Sequence, residues 1–295
     1  LAYQKSATVN WDPIDKTVLA NEQVDSNGRS WRSGAKVEKR KLKQWFLKIT
    51  DYAEELLQDL NNLKGWPENV KLMQENWIGK SIGAEIDFLI KDSNLNQKIK
   101  VFTTRADTLF GANYIVLSPE HSIIDDIIDV KYKQALADFR ESINNLSDQD
   151  RTSESKSKTG IYIGRDAINP VTGKNIPIWV GDYVLSTYAT GAVMGVPAHD
   201  DRDYGFATKY SLPITYVVQD SKDSSKEQLK KAYTQKGILI NSGDFTGLDS
   251  EVAKSKIIEL GEEKGWANRK VSYKLRDWLI SRQRFWGCPI PVIHC

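Results

Sequence analysis

The feature that most constrains the fold of this chain is a two-residue alternation of hydrophobic and polar side chains that begins after residue 83. Residues 84–90 and 98–103 alternate in this way, which predicts two half-buried strands. Further short strands, separated by turn-forming residues, are predicted at 114–117, 160–164, 176–180, 192–196, 214–218 and 237–240. Short strands joined by frequent turns favour a barrel over a parallel sheet. The pattern predicts a mixed α/β (α+β) fold: a β-barrel-like domain with peripheral helices.

Helices are predicted where hydrophobic side chains recur every three or four residues, at 41–63, 122–144 and 250–264. In the first of these, Asp51 and Glu54 have the spacing of a capping box. The segments 147–159 and 220–229 are rich in Ser, Asp and Lys and contain little to bury, so we predict mobile loops there. Residues 1–40 lack sustained periodicity and are predicted to form loops and short strands.

The composition is that of an ordinary globular protein, with 40% hydrophobic and 27% charged residues among 295. The formal net charge is only +2, so contact with a polyanion must come from local basic clusters. The two cysteines, Cys288 and Cys295, offer no disulfide framework and fit a reducing compartment. No hydrophobic run approaches the roughly 18 residues that span a bilayer, and the first residues show neither an initiator Met nor a signal peptide. We expect a piece of a longer chain that works in the cytoplasm or an organelle, without a membrane partner.

A threonine-rich motif, Thr103-Thr104-Arg105-Ala106-Asp107-Thr108, follows directly after a predicted strand. It brings three hydroxyls, one fixed positive charge and one carboxylate into six residues. Such hydroxyls, together with strand-end amides, can donate hydrogen bonds to an acyl oxygen or orient a water molecule, and threonine has few rotamers. The same residues would also suit a simple capped turn, so composition alone leaves both interpretations open.

A second motif places small residues and glycines directly before a charged cluster, from Thr187 to Asp203. Glycines let a ligand approach the backbone closely. His199, Asp200 and Asp203 raise the question of a metal site, but one histidine with aspartates at a helix start fits N-caps and solvated charges equally well. We therefore expect no metal here.

Two other kinds of site are disfavoured by the sequence. Gly79-Lys80-Ser81 has the form of the end of a phosphate-binding loop, but position 74, where that loop needs glycine, is Gln. A Ser/His/Asp triad is not convincing either, since His121 and His199 are the only histidines away from the end of the chain. Nucleotide binding at residues 79–81 and covalent catalysis are not expected.

Several segments in a fixed order carry a family resemblance: 9–11, 17–24, 74–81, 103–108 and 191–203. Together they resemble leucyl-tRNA synthetases of the bacterial and organellar type, over nearly the whole chain. The isoleucyl and valyl enzymes have a related domain in which the threonine-rich motif continues Thr-Pro-Trp-Thr. Here it continues Arg105-Ala106-Asp107-Thr108, which favours leucine.

The resemblance implies three parts: a flank of the catalytic domain at 1–78, the editing domain (connective polypeptide 1) at 79–268, and a segment returning into the catalytic domain at 269–295. The flank would contain a zinc-ribbon-like subdomain and a helix. Many members of the family have zinc-binding cysteines where this chain has Asp12, Ser30 and Ser33, and oxygen ligands hold zinc poorly. We expect the subdomain to fold without metal, held by Trp11 and Trp31.

The resemblance implies a hydrolase without a cofactor of its own. The nucleotide-binding signatures of class I synthetases, His-Ile-Gly-His and Lys-Met-Ser-Lys-Ser, do not occur in the sequence. ATP and magnesium would serve the parent enzyme. We therefore do not expect this chain to activate leucine or to charge tRNA.

The implied reaction is post-transfer editing, the hydrolysis of the ester between a wrong amino acid and the 3′ end of tRNA(Leu). The wrong amino acids would be isoleucine, norvaline and methionine. Apolar pockets distinguish such side chains from leucine by only about 1–3 kcal/mol, so a second, hydrolytic site is needed. Asp203 is expected to anchor the α-ammonium group, and the methyl group of Thr108 to exclude leucine.

The remaining roles implied by the resemblance concern positioning of the substrate. Thr103 and Thr104 are expected to contact the ribose and the water or carbonyl. Arg105 is expected to hold either the terminal nucleotide or acidic residues of the domain. Further substrate-binding residues are expected to be Tyr188, Met194, Val196, His199 and Asp200.

Two alternatives remain at this stage. One is the editing domain of an isoleucyl- or valyl-type synthetase. The other is a non-catalytic tRNA-binding module, which the basic aromatic tail after Lys270 and the lysine-rich residues 36–48 would support. A monomer is expected in either case.

Overall fold

The computed structural model describes residues 1–25, 27–92, 97–143, 146, 150–151, 153, 157–186, 189–220, 231–281 and 293. The strands are β1 (Ala2–Asp12), β2 (Thr17–Leu19), β3 (Glu38–Leu47), β4 (Lys80–Ile90), β5 (Lys98–Thr103), β6 (Tyr114–Leu117), β7 (Gly160–Ile168), β8 (Asn175–Gly181), β9 (Ala192–Gly195), β10 (Val218–Gln219), β11 (Ile238–Leu239), β12 (Ala267–Tyr273) and β13 (Trp278–Leu279). The α-helices are α1 (Ala53–Asp59), α2 (Glu68–Ile78), α3 (Ile124–Ile127), α4 (Lys133–Ile143), α5 (Asp201–Lys209) and α6 (Ser250–Lys264).

The Cα positions divide into two compact units, which are described separately. The first, or ribbon unit, comprises Leu1–Gly79 and Tyr273–Cys295, and the second, or core unit, comprises Lys80–Ser272. No helix in the described part of the chain is both long and apolar enough to cross a membrane.

A four-stranded sheet with the order β13-β3-β1-β2 organises the ribbon unit. β1 and β3 pair antiparallel over ten residue pairs, from Ala2 opposite Leu47 to Trp11 opposite Glu38. This long pairing corrects the prediction that residues 1–40 form only loops and short strands. Loops and isolated bridges do occur between β2 and β3, where Val24 pairs with Ser30.

The helix predicted at 41–63 is wrong in its first third. Residues 41–47 belong to β3, because its backbone groups pair with β1, which lies more than 30 residues earlier. A 3₁₀ turn, Ile49–Tyr52, then leads into α1. The N-cap of α1 is Tyr52, so the capping box predicted for Asp51 and Glu54 does not form. The sequence pattern missed α2, which ends at Gly79 with a left-handed φ of 58°.

The turn after β1 is held by Asp12, whose side chain is fully buried. Its Oδ1 accepts hydrogen bonds from the amides of Ile14 and Asp15, both at 2.9 Å, and its Oδ2 accepts one from Ser33 Oγ at 2.5 Å. Burial alone would raise the pKa of Asp12, but the neighbouring hydroxyls and amides lower it to about 2. Trp31 is 63% exposed and does not hold this region, contrary to the prediction from the sequence.

A seven-stranded sheet organises the core unit, with the order β12-β4-β7-β8-β6-β9 and with β5 also paired to β4. β6 and β8 run parallel, while the other pairs with a determined register are antiparallel. The mixed α+β class is confirmed. The described strands do not close into a barrel, although β5 and β9 lie near each other.

Most strands of the core unit were predicted to within a few residues, since one sheet face is buried and enforces the alternation. β5 and β6 have the predicted limits. The strand predicted at 214–218 is largely wrong, because only its last residue lies in β10. The large core of this unit is built from aliphatic residues of the sheet together with those of α3, α4 and α6.

The helices of the core unit follow their capping signals. α6 has the predicted limits, with Asp249 capping its start and Gly265, at a φ of 74°, ending it. The helix predicted at 122–144 is divided into α3 and α4, because Ile128 leaves the helical region and Asp129 caps a new 3₁₀ turn.

The two segments predicted as loops lie largely outside the described residues. Arg151, within the first, is buried. Its guanidinium donates to the carbonyl oxygens of Asp182 (2.6 Å) and Val184 (2.7 Å), so this point of the segment is anchored to the core unit.

Candidate functional site

The threonine-rich motif forms the end of β5 and the 3₁₀ helix Ala106–Gly111. Thr103 is the last residue of the strand, and its Oγ1 accepts a hydrogen bond from the Arg105 amide at 3.0 Å. Thr104 is exposed, and in the described structure its hydroxyl has no protein partner. The turn therefore fixes Thr103 and leaves the Thr104 hydroxyl available to a ligand.

Arg105 is held in place by an acidic residue of the same motif. Its guanidinium binds both carboxylate oxygens of Asp107, at 2.9–3.1 Å, and donates to the Thr234 carbonyl oxygen at 3.2 Å. Asp107 is only 2% exposed, so this bidentate ion pair is shielded from solvent on one side. Of the two roles considered for Arg105, contact with an acidic residue is the one visible in the structure.

Thr108 is fully buried in the 3₁₀ helix. Its Oγ1 donates to the Arg105 carbonyl oxygen at 2.8 Å, and its amide hydrogen binds the same oxygen at 3.0 Å. Because the hydroxyl is used within the turn, the rotamer of Thr108 is fixed. The methyl group is therefore also held in one direction, within the buried interior of the core unit.

The charged cluster of the second motif begins α5, at the helix start that was considered for these aspartates. Asp200 is its N-cap, and its Oδ1 accepts a hydrogen bond from the Asp203 amide at 3.0 Å. The N-cap interpretation considered for these aspartates is thus correct for Asp200. The cap also fixes Asp203 in the first turn of the helix.

Asp203 is the most deeply buried carboxylate of the motif, with 1% of its surface exposed. Its Oδ2 accepts a hydrogen bond from the Val196 amide at 2.9 Å, and its Oδ1 accepts one from Arg202 Nε at 3.3 Å. Burial raises the pKa of Asp203 to about 6, against the lowering effect of Arg202. Arg202 already provides a cation to this carboxylate, and the two hydrogen bonds fix its orientation.

His199 is buried, and both of its ring nitrogens have backbone partners. Nδ1 donates to the Tyr233 carbonyl oxygen at 2.9 Å, and Nε2 accepts from the amides of Val217 (3.0 Å) and Val218 (3.2 Å). Burial lowers its pKa to about 4, so the ring is neutral at pH 7. His199 therefore joins three backbone segments, and in this structure neither ring nitrogen is free to bind substrate or to act as a base.

The hydrophobic residues proposed to line the pocket lie in or next to β9. Met194 and Val196 are 6% and 8% exposed and belong to the large core, so little of either side chain is open to a ligand in this structure. The Val196 amide also binds Asp203, so this residue joins the strand to the carboxylate. Tyr188 lies outside the described residues.

The two motifs meet at residues 233–234, which the sequence analysis did not single out. The Tyr233 amide donates to the Ala198 carbonyl oxygen at 2.8 Å, and His199 binds the Tyr233 carbonyl oxygen. Arg105 binds the next carbonyl oxygen, that of Thr234. Residues 233–234 take part through backbone atoms, so no side chain in the sequence indicates their role. Asp107, in contrast, lies within the threonine-rich motif, so its ion pair with Arg105 could have been proposed from the sequence.

The two motifs contribute groups of different chemistry to this region. They are a buried carboxylate at Asp203, an exposed hydroxyl at Thr104 and a fixed, buried side chain at Thr108. In the described part of the chain, no group of three or more His, Cys, Asp or Glu residues is arranged to hold a metal ion.

Comparison with known proteins gives consistent matches. The family described as leucyl-tRNA synthetase, editing domain, matches residues 75–262. Leucine–tRNA ligases from a strain of Prochlorococcus marinus and from Synechococcus elongatus are 64% and 58% identical over the whole chain, which spans 34% of each relative. A solved structure, the ternary complex of Agrobacterium radiobacter K84 AgnB2 LeuRS with tRNA and LeuAMS, is similar over the whole chain and 33% of its own length, with a TM-score of 0.76 and 41% identity. The chain spans about a third of the length of these relatives, and it belongs to the leucyl-tRNA synthetase family, whose editing domain it contains.

Proposed function

We propose that the core unit, Lys80–Ser272, hydrolyses the ester of tRNA(Leu) carrying a wrong amino acid, with isoleucine, norvaline and methionine as the amino acids removed. The observation that carries this proposal is the buried Asp203 carboxylate, which the Val196 amide and Arg202 hold in the first turn of α5, within the segment that matches the editing-domain family. The Agrobacterium relative was solved with tRNA, which supports a tRNA substrate.

The proposed first step is recognition of the α-ammonium group by Asp203. Every amino acid carries this group, so a fixed carboxylate places the ester carbonyl at one position whichever side chain is attached. A charge-assisted hydrogen bond in a buried site is strong, because little water competes for it. In the complex, a primary ammonium would take acceptor positions of Asp203 that the Val196 amide and Arg202 do not use.

The proposed chemical step is attack by one water molecule on the ester carbonyl carbon. The new carbon–oxygen bond forms as the bond to the ribose oxygen breaks, and a proton from the water passes to that ribose oxygen. The Thr104 hydroxyl is suited to orient the water or the carbonyl, while Thr103 and the Arg105–Asp107 ion pair keep the turn in place. His199 takes no part as a base, because both of its ring nitrogens bind backbone groups.

Specificity is assigned to Thr108. Its hydroxyl is bound to the Arg105 carbonyl oxygen, so its methyl group is held in one direction. We place the γ-branch of leucine against this methyl group, so that the correct ester does not reach the reactive geometry. A steric wall is needed because attraction in apolar pockets distinguishes such side chains by only about 1–3 kcal/mol.

The test is deacylation of isoleucyl- and leucyl-tRNA(Leu) by the full chain and by its Asp203→Ala variant. We expect the chain to hydrolyse only the isoleucyl ester and Asp203→Ala to be at least about 100-fold slower, the cost of one strong charged contact. Asp201→Ala is the matched control, since Asp201 lies in the same helical turn but is exposed. Equal losses in both variants would refute the role of Asp203.

A parallel measurement of tRNA binding separates hydrolysis from the alternative of a non-catalytic tRNA-binding module. If the wild-type chain binds tRNA(Leu) but hydrolyses neither ester at saturating protein, the hydrolytic proposal fails. Retention of binding in Asp203→Ala, with loss of hydrolysis, is the expected result. The cytoplasmic or organellar location and the monomeric state remain predictions.

A further inference from the structure

We propose that one face of the β1–β3 ribbon is a second RNA-binding surface, which contacts the phosphodiester backbone outside the hydrolytic site. The face is defined by Lys39, Lys41 and Lys43 on β3 and by the residues opposite them on β1. In the antiparallel register, Ser6 lies opposite Lys43 and Thr8 opposite Lys41. We call this the lysine face.

The lysine face follows from strand geometry. Alternate residues of a strand point to the same side, about 6.8 Å apart, so three lysines at spacing two form a row about 14 Å long. All three are exposed, as are Ser6 and Thr8 beside them. In the part of the chain that the structure describes, none of the three lysines forms an ion pair. Three uncompensated ammonium groups therefore lie in a line, flanked by two hydroxyls.

On the opposite face of the ribbon, the cationic side chains contact other residues of the ribbon. The two faces therefore differ in whether their positive charges have partners. There Arg40 is paired with Glu38 and lies over the Trp11 ring, at 5.1 Å from its centroid. Lys5 lies over the Phe46 ring at 4.5 Å. The cations of that face are thus used in internal contacts, whereas those of the lysine face are not.

The charge of the ribbon favours a polyanion as the partner. Residues 1–11 and 39–47 contain five Lys or Arg and no Asp or Glu, in a chain whose net charge is only +2. A row of point charges with hydroxyl donors suits successive phosphates along one RNA strand, and it reads no base. The lack of exposed aromatic side chains between the three lysines makes base stacking an unsuitable mode of binding.

The binding experiment uses the full chain and a fluorescein-labelled, uncharged tRNA(Leu) transcript across a range of salt concentrations. We expect the triple variant Lys39→Gln, Lys41→Gln, Lys43→Gln to bind about tenfold or more weakly at low salt. The slope of log K against log salt should become shallower by about 2, since each lost phosphate contact contributes about 0.7–0.9. Arginine at the three positions should restore both quantities.

The control variant removes the same charge elsewhere, by Lys91→Gln, Lys256→Gln and Lys264→Gln, which are also exposed. If the two triple variants lose equal affinity, net charge explains the effect and the lysine face is refuted. Equal binding of phosphatidylserine vesicles and tRNA by the face would also contradict an RNA surface. Because the transcript carries no amino acid and therefore no ester, the outcome of this titration is independent of the hydrolytic proposal.

Discussion

At the scale of single residues, Asp203, Thr108 and His199 are all buried, but the contacts that hold them differ. The family resemblance implied a role for the carboxylate of Asp203 and for the methyl group of Thr108, and the structure places both side chains in fixed, buried positions. His199 was selected in the same way, yet its ring is occupied by carbonyl and amide groups from residues 217, 218 and 233. Such backbone contacts depend on the tertiary fold and have no signature in the motif itself.

The raised pKa of Asp203 predicts the pH dependence of hydrolysis. The anchor must be ionised, so kcat/KM should fall as the pH drops through about 6, approaching tenfold per pH unit below it. Because ester hydrolysis has its own pH dependence, the quantity to measure is the ratio of the wild-type rate to that of Asp203→Asn. A ratio that stays constant from pH 5 to pH 8 would contradict the role of the ionised carboxylate.

Two variants of Thr108 separate the methyl group from the hydroxyl. Thr108→Ser keeps the hydrogen bond to Arg105 but removes the methyl group, so it should gain hydrolysis of leucyl-tRNA(Leu). Thr108→Val keeps the shape and loses the hydrogen bond, so it should still reject leucine, with a loss of about 1–3 kcal/mol in unfolding free energy. The measurement is the rate at which each variant hydrolyses leucyl-tRNA(Leu). Hydrolysis by Thr108→Val but not by Thr108→Ser would assign specificity to the hydroxyl.

At the scale of elements, local periodicity predicted the correct type of element where burial follows the sequence pattern. It predicted the wrong type where pairing with a strand far away in the sequence determines the backbone conformation. β5 could be predicted from its partial alternation, β6 as a short apolar run that is buried throughout, and α6 from the residues that cap its two ends. β3 could not, since Leu42, Phe46 and Ile49 also have helical spacing and only the pairing with β1 makes residues 41–47 extended. The meeting of the two site motifs likewise depends on residues 233–234, which contribute backbone atoms.

The pairing of β4 with β5 gives a prediction at this scale. A Cβ at Gly83 would lie 2.1 Å from the Thr103 carbonyl oxygen, so Gly83→Ala must push the end of β5 away. We expect a loss of about 1–3 kcal/mol in unfolding free energy, with slower hydrolysis of isoleucyl-tRNA. The control is Gly205→Ala in α5, where a Cβ meets nothing within 4 Å and should stabilise the helix by about 0.5–1 kcal/mol. The measurements are the unfolding free energy in urea and the rate of isoleucyl-tRNA hydrolysis for both variants. Equal rates in the two would show that the position of Thr103 does not affect hydrolysis.

At the scale of the whole molecule, two buried groups of the core unit titrate in the same pH range with opposite effects on stability. Asp203 has a raised pKa, so the stability it contributes is present below pH 3.8 and is lost as the pH rises through about 6. His199 has a lowered pKa, so its contribution is present above pH 6.5 and is lost as the pH falls towards about 4. Each shift corresponds to about 3 kcal/mol, and between pH 6.5 and 4 the two largely offset each other.

This compensation predicts how single substitutions change the response to acid. In Asp203→Asn, no gain in stability from protonation of Asp203 offsets the loss that arises when His199 takes up a proton in the unfolded chain. The unfolding free energy should therefore fall more steeply from pH 7 to pH 4.5 than in the wild type. His199→Gln should do the opposite, because its amide can still donate to Tyr233 and accept from Val217 but does not take up a proton. Urea unfolding at three pH values gives the three slopes. If the slopes of both variants equal that of the wild type, the pKa values of the two groups do not differ between the folded and the unfolded chain, and the pH dependence predicted for Asp203 loses its support as well.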